Sequence, residues 1–258
     1  MSGALDGQAV AARALPLLDL TNLNDDCTEA DIDALCARTE TAHGHVAAVC
    51  VWPRFVTQSR KRLKGTDIRV ATVCNFPAGG TDVDAAVAEA RTSAFDGAHE
   101  VDVVLPYRQF ADGEQDVAMA LVAAVKDTLP ETVRLKVIIE TGALKVPELV
   151  RIASVKAIDA GADFIKTSTG KVPVNATLEA AQIMLDVIQE RVDGKAIGFK
   201  PAGGIKTVAD AGAYLALADE ILGPDWVTPE TFRFGASSLL DVLLAELDGS
   251  VATPSEGY

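Results

Sequence analysis

The chain is poor in the residues that carry most metal, redox and disulfide chemistry. It has three histidines and four cysteines in 258 residues. Cys27, Cys36, Cys50 and Cys74 show no C-x-x-C spacing, so they read as free thiols rather than as a disulfide or zinc framework. His43-Gly44-His45 has only His99 as a further imidazole, and no metal is expected from so small a donor set. No apolar run is long enough to span a bilayer, and Met1 to Ala14 lacks the basic and apolar regions of an export signal. The expected compartment is therefore the cytoplasm. Positive charge is scarce too, with 23 Lys and Arg against 37 Asp and Glu, a net charge of −14. Nucleic acid and anionic membranes are poor partners for such a surface, and an anionic substrate would need a locally basic pocket. No G-x-G-x-x-G follows an expected strand, which leaves a dinucleotide cofactor unsupported. No G-x-S-x-G elbow is present, and Val172 stands where a P-loop needs Ser or Thr after Gly170-Lys171.

What remains is an even alternation of short β-rich runs and amphipathic helical stretches. The expected strands are Leu15–Leu20, Val46–Trp52, Ile68–Asn75, Glu100–Leu105, Val133–Glu140, Asp163–Thr167, Lys195–Lys200 and Thr231–Gly235. Helical spacing runs through Thr81–Phe95, Glu114–Leu129, Pro147–Ala160, Thr177–Arg191, Thr207–Leu217 and Ser237–Leu247. Thr28-Glu29-Ala30-Asp31 has the form of a capping box. Eight strands, each followed by a helix, fit an α/β fold of the (β/α)8 TIM-barrel type. A doubly wound open sheet is the structural alternative. No linker interrupts the middle of the chain, so one domain is expected over residues 1–247. Residues 248–258, rich in Gly, Ser and Pro, read as a flexible tail ending in Tyr258.

Two lysines stand at the ends of apolar runs, each followed by a glycine-bearing loop. One run is Ala162-Asp163-Phe164-Ile165-Lys166, and the other is Ala196-Ile197-Gly198-Phe199-Lys200. Adjacent parallel strands lie roughly 4.8 Å apart, so lysines at the tips of neighbouring strands can approach closely. An amine attacks a carbonyl only when neutral. Two like charges about 4 Å apart repel by roughly 4 kcal/mol at an effective dielectric near 20. That is worth about 3 pKa units. Repulsion from Lys200 is thus expected to bring Lys166 toward neutrality without help from burial. Taken singly, either lysine reads as an ordinary strand-end residue reaching solvent; the pair points to imine chemistry on a carbonyl compound.

Other polar residues gather at the same ends of expected strands: Asp19, Cys50, Asn75, Asp102, Glu140 and the Gly235-Ala236-Ser237-Ser238 turn. In Glu100-Val101-Asp102-Val103-Val104, alternation sets Asp102 on the face opposite the valines, at a depth where it can relay protons or pair with a lysine. The structural alternative for Asp102 is a plain salt bridge. Cys50, if it faces the same pocket, is a thiol that unsaturated aldehydes would alkylate. Three glycine-bearing turns follow the last expected strands: Thr169-Gly170-Lys171, Gly203-Gly204 and Gly235 to Ser238. Such turns bring backbone N–H groups close to an anion, and barrels commonly hold phosphate there. They are also ordinary turn chemistry for any barrel.

Taken together, these segments resemble the deoxyribose-phosphate aldolase family of class I, imine-forming aldolases. The resemblance spans almost the whole chain. It rests most on Gly161-Ala162-Asp163-Phe164-Ile165-Lys166-Thr167-Ser168-Thr169-Gly170-Lys171, on Gly198-Phe199-Lys200-Pro201-Ala202-Gly203-Gly204 and on Arg233-Phe234-Gly235-Ala236-Ser237-Ser238. Supporting segments are Asp19-Leu20-Thr21, Cys50-Val51-Trp52-Pro53-Arg54-Phe55, Asn75-Phe76-Pro77, Glu100 to Val104 and Lys136 to Gly142. Trp52 and Cys74 depart from the family's usual tyrosine and threonine. The resemblance implies a barrel that reversibly cleaves 2-deoxy-D-ribose 5-phosphate to acetaldehyde and D-glyceraldehyde 3-phosphate, with no cofactor. It implies Lys166 as the imine-forming residue, Lys200 as the lysine that lowers its pKa, and Asp102 as the proton-relay acid. Gly170, Lys171, Gly203, Gly204, Ser237 and Ser238 match the phosphate cradle. Asp19 and Thr21 match positions near the substrate hydroxyls, and Tyr258 a terminal tyrosine that assists proton transfer. The implied partners are phosphorylated sugar and aldehydes, with a homodimer as the assembly. A transaldolase-like enzyme and a non-catalytic sugar-phosphate-binding barrel are the competing readings.

Overall fold

The computed structural model describes residues 6–191 and 196–250. Eight strands form one parallel sheet: β1 (Leu18–Asn22), β2 (Ala48–Val51), β3 (Arg69–Cys74), β4 (Glu100–Val104), β5 (Arg134–Ile138), β6 (Phe164–Lys166), β7 (Gly198–Lys200) and β8 (Phe234–Ala236). Neighbours follow chain order from β1 to β7, with β8 beside β1. The remaining gap closes through parallel bridges Phe199–Phe232 and Ala202–Gly235. The eight-stranded barrel is therefore the fold, and the open sheet is excluded.

The first strand starts later than its apolar run. Leu15–Leu17 is a 3-10 turn, because Pro16 has no N–H to give a sheet ladder. A short hairpin, Glu40–Thr41 with Gly44–His45, carries the two-histidine segment and was not expected. Its apolar content is too low to register as strand.

The crossovers are helical: α1 (Gly7–Ala14), α2 (Glu29–Ala37), α3 (Val56–Arg62), α4 (Val83–Phe95), α5 (Tyr107–Ala111), α6 (Gln115–Thr128), α7 (Thr141–Leu144), α8 (Pro147–Asp159), α9 (Leu178–Gln189), α10 (Val208–Leu222) and α11 (Leu239–Leu247). The capping box at α2 forms in full. The Asp31 N–H donates to Thr28 Oγ1 at 3.3 Å, and the Thr28 N–H donates to Asp31 Oδ2 at 2.8 Å. No helix among the described residues is long and apolar enough to cross a membrane.

Each strand has two buried faces of opposite character. Val101, Val103, Leu135, Val137, Ile165 and Phe199 point outward into the main core beneath the helices. The inward positions hold small apolar residues on one side, where Cys50, Ala71 and Val73 cluster with Leu23. On the other side they hold charge. This arrangement places a polar cluster inside the barrel rather than a fully apolar core.

Candidate active site

Asp19, Glu100, Asp102, Lys136, Lys166, Lys200 and Arg233 are all buried in the barrel interior. Burying an ion costs several kcal/mol unless partners offset it, so the pairing pattern matters. Lys166 and Lys200 are register partners on β6 and β7. Their Nζ atoms both lie 2.9 Å from the same oxygen, Asp102 Oδ2. Lys136 Nζ donates to Asp102 Oδ1 at 2.8 Å and lies 2.5 Å from Glu100 Oε2. Lys200 also reaches Asp19 Oδ2 at 2.5 Å. Arg233 joins Asp19 to Glu100, with contacts of 2.6 and 2.9 Å.

Four cations thus face three carboxylates in one enclosed network. One proton too many is present if every lysine is charged. Lys200 has Asp19 and Asp102, and Lys136 has Glu100 and Asp102. Lys166 has Asp102 alone among the described residues, and shares that oxygen. It is the least compensated amine and the one that gives up its proton most easily.

The pKa directions follow the same order. The Lys166 ammonium is pushed below its ordinary value, first by burial, against the opposing pull of Asp102, with repulsion from Lys200 adding to the burial effect. Lys200 is held well above its ordinary value because Asp102 and Asp19 outweigh its own desolvation. Lys136 is also raised, by Asp102 and Glu100 against burial. Asp102 stays well below the usual carboxylate range because three ammonium groups surround it and overcome desolvation. The expectation that repulsion alone neutralises Lys166 is therefore corrected. Asp102 screens the two lysines from each other, and desolvation is the larger effect.

Glycine makes the space. A Cβ on Gly235 would sit 2.8 Å from Ala202 Cβ and 3.0 Å from Lys200 Cε. A Cβ on Gly198 would fall 2.3 Å from the Phe164 ring, which fills the barrel below Lys166. Large side chains can occupy β6 and the Lys200 position only because their neighbours have none.

The remaining expected residues cluster at the C-terminal rim. Gly170 and Lys171 follow β6, Gly203 and Gly204 follow β7, and Ser237 and Ser238 follow β8. Gly170, Gly203 and Gly204 have φ of 83°, 80° and 83°, which side chains rarely adopt. Ser238 is the N-cap of α11 without a side-chain cap bond. Lys171 Nζ is 3.9 Å from Asp25 Oδ1 across the rim. Asp19 lies deeper, with both oxygens engaged by Lys200 and Arg233. Thr21 Oγ1 donates to the Asp19 carbonyl at 2.8 Å. Cys50 is fully buried and faces the lysine cluster, and burial pushes its thiol pKa up. Tyr258 lies outside the described residues.

Glu100, Lys136 and Arg233 were not among the expected site residues. Their signal was present, since Lys136 and Arg233 are charged residues between apolar neighbours in expected strands and Glu100 opens the run that holds Asp102. Glu100 shares the Asp102 face by alternation, and Lys136 is opposite Asp102 in register. Glu140, expected at a strand end, adopts a left-handed conformation beyond β5, with φ of 57°. Its carboxylate accepts from the Thr169 N–H at 3.3 Å and so ties the β5 loop to the β6 loop. Ser168 Oγ, in that loop, is buried and has no hydrogen-bond partner.

A closed parallel barrel with amines and acids gathered below its C-terminal rim has the architecture of a barrel enzyme, whose reactive groups sit at that end. A family model described as DeoC/LacD family aldolase matches residues 13–245. A deoxyribose-phosphate aldolase of Agrobacterium fabrum is 54% identical over 250 residues, 96% of each chain. A solved apo structure of a putative deoxyribose-phosphate aldolase from Toxoplasma gondii ME49 superposes with a TM-score of 0.85 at 25% identity, covering 96% of this chain and 99% of that one. A deoxyribose phosphate aldolase from Aeropyrum pernix, described as a unique tetramer, has the same fold, with a TM-score of 0.72 at 21% identity over 93% of this chain and 91% of that one. The chain belongs to the DeoC/LacD aldolase family.

Proposed function

We propose that this aldolase is a class I deoxyribose-phosphate aldolase, which reversibly cleaves 2-deoxy-D-ribose 5-phosphate to acetaldehyde and D-glyceraldehyde 3-phosphate. The observation that carries the mechanism is the sharing of Asp102 Oδ2 by Lys166 and Lys200. Neutral Lys166 attacks the C1 aldehyde of the open-chain sugar and expels water to form an imine. Burial favours the uncharged form of Lys166, and Lys200, kept cationic by Asp19 and Asp102, adds its repulsion. Ionised Asp102, with Lys200, positions a water that takes the C3 hydroxyl proton. The C3–C4 bond then breaks, and its electrons pass into the protonated imine to give an enamine. D-glyceraldehyde 3-phosphate leaves. Protonation of the enamine carbon, a role we assign to Tyr258, and hydrolysis release acetaldehyde.

The rim glycines, Lys171, Ser237 and Ser238 hold the phosphate through backbone N–H groups, hydroxyls and one ammonium. Asp19 and Thr21 support the hydroxyl end of the sugar, Asp19 acting through Lys200. The reaction draws on side chains alone. The reading also includes a cytoplasmic homodimer, whose assembly sedimentation analysis tests.

Borohydride reduction in the presence of acetaldehyde is the deciding experiment. A mass increase confined to the peptide that contains Lys166 is expected. Trapping at another lysine, or sugar-phosphate binding without trapping, overturns the assignment.

A further inference from the structure

The barrel base, opposite Lys166, holds a second concentration of positive charge. A cavity of about 390 Å³ opens there between the end of α3 and the first residues of β3 and β4. Arg60, Lys64, Arg69 and His99 line it, with Thr66 and Asp67. In a chain of net charge −14, four basic side chains against one acid in one cavity is a local inversion of sign.

These cations are poorly spent on the fold itself. Among the described residues Arg60 and Lys64 have no ion pair. Arg69 has one loose pairing, its Nε 3.7 Å from Glu100 Oε1, beyond hydrogen-bond reach. Basic residues at a helix C-terminus complement the dipole, which accounts for part of the α3 end. It does not account for Arg69 and His99, which belong to strand beginnings.

His99 is held in a definite form. The Val70 N–H donates to His99 Nδ1 at 2.9 Å, so the neutral ring carries its proton on Nε2. Burial, with Arg60 and Arg69 nearby, keeps the imidazole pKa below its ordinary value. Both guanidinium groups therefore act on the same ring, and the ring offers a neutral donor beside two cations.

We propose that this cavity is an anion site for a phosphate-bearing small molecule, with Arg60, Lys64 and Arg69 supplying charge and His99 Nε2 a hydrogen bond. A tetrahedral oxyanion suits such a donor set, because guanidinium forks and N–H donors each bond to phosphate oxygens. The site is separate from the rim cradle and does not depend on the catalytic assignment.

The test follows the imidazole nitrogens by NMR while inorganic phosphate is titrated into the full chain. Only His43, His45 and His99 contribute, and His99→Gln identifies the third signal. The expected result is a saturable shift at His99 that chloride of equal ionic strength does not reproduce, with His43 and His45 unmoved. Arg60→Gln with Lys64→Gln should weaken the apparent affinity about tenfold or more while the aldolase rate stays as in the parent. No saturable shift at His99, an equal response to chloride, or unchanged affinity in the double variant overturns the proposal.

Discussion

Lys166 differs from its two lysine neighbours in partners, not in burial. All three are almost wholly enclosed, yet only Lys166 has its pKa pushed down. Lys200→Met removes the second cation on Asp102 Oδ2 and leaves that oxygen to Lys166 alone. The Lys166 ammonium is then stabilised, so its pKa rises and the ascending limb of the pH–rate profile moves to higher pH. A limb that stays in place, or moves to lower pH, rules out this electrostatic role. Asp102→Asn leaves four cations to two carboxylates and removes the relay. Activity should fall by about 10²- to 10⁴-fold, the usual worth of a positioned acid–base group. Stability should fall by about 3–5 kcal/mol, because three lysines lose a partner. Steady-state kinetics and urea unfolding check the two parts separately.

Individual elements carry the site through what their neighbours lack. At Gly235, where β8 meets the segment that follows β7, a methyl group would press on both Ala202 and Lys200. Gly235→Ala should cost about 1–3 kcal/mol by overpacking and should lower kcat at least as much as a comparable loss elsewhere, since Lys200 Cε must move. Thermal unfolding with single-turnover trapping at Lys166 measures both. A variant that is destabilised but traps at the parent rate shows that Lys200 tolerates the shift. The strands of the expected pattern were legible because apolar runs alternated with amphipathic helices. Their ends were less so. Leu15–Leu17 looks like strand by composition, but Pro16 takes it into a turn. The hairpin with His45 is made by backbone pairing with little apolar pattern to announce it.

For the molecule as a whole, the interior network makes stability depend on pH. Asp19, Glu100 and Asp102 all sit below their ordinary values of 3.8, 4.5 and 3.8, because lysines and Arg233 outweigh burial. A carboxylate with a depressed native pKa contributes its full stability above the unfolded value and loses it as pH falls toward the native one. The network's contribution to the unfolding free energy should therefore be level near neutrality and decline once pH drops below about 4.5. Glu100→Gln should flatten that decline while lowering stability at pH 7. Urea titrations from pH 7 to pH 3 provide the comparison, and an unchanged acid slope in the variant would show that the network is not its source. The order of the eight barrel strands, the longer helices between them, the lysine pair and the rim glycines were readable from local pattern, because periodicity and turn chemistry act over a few residues; the short helices Gly7–Ala14, Val56–Arg62, Tyr107–Ala111 and Thr141–Leu144 were not. What takes the proton from Lys166 was not either, since burial outweighs the repulsion from Lys200 that the sequence suggested. That balance depends on Asp19, Glu100, Asp102, Lys136 and Arg233, which come from four strands or strand approaches and meet only when the barrel closes. Charge compensation is a property of distances in space, and the linear chain does not contain them.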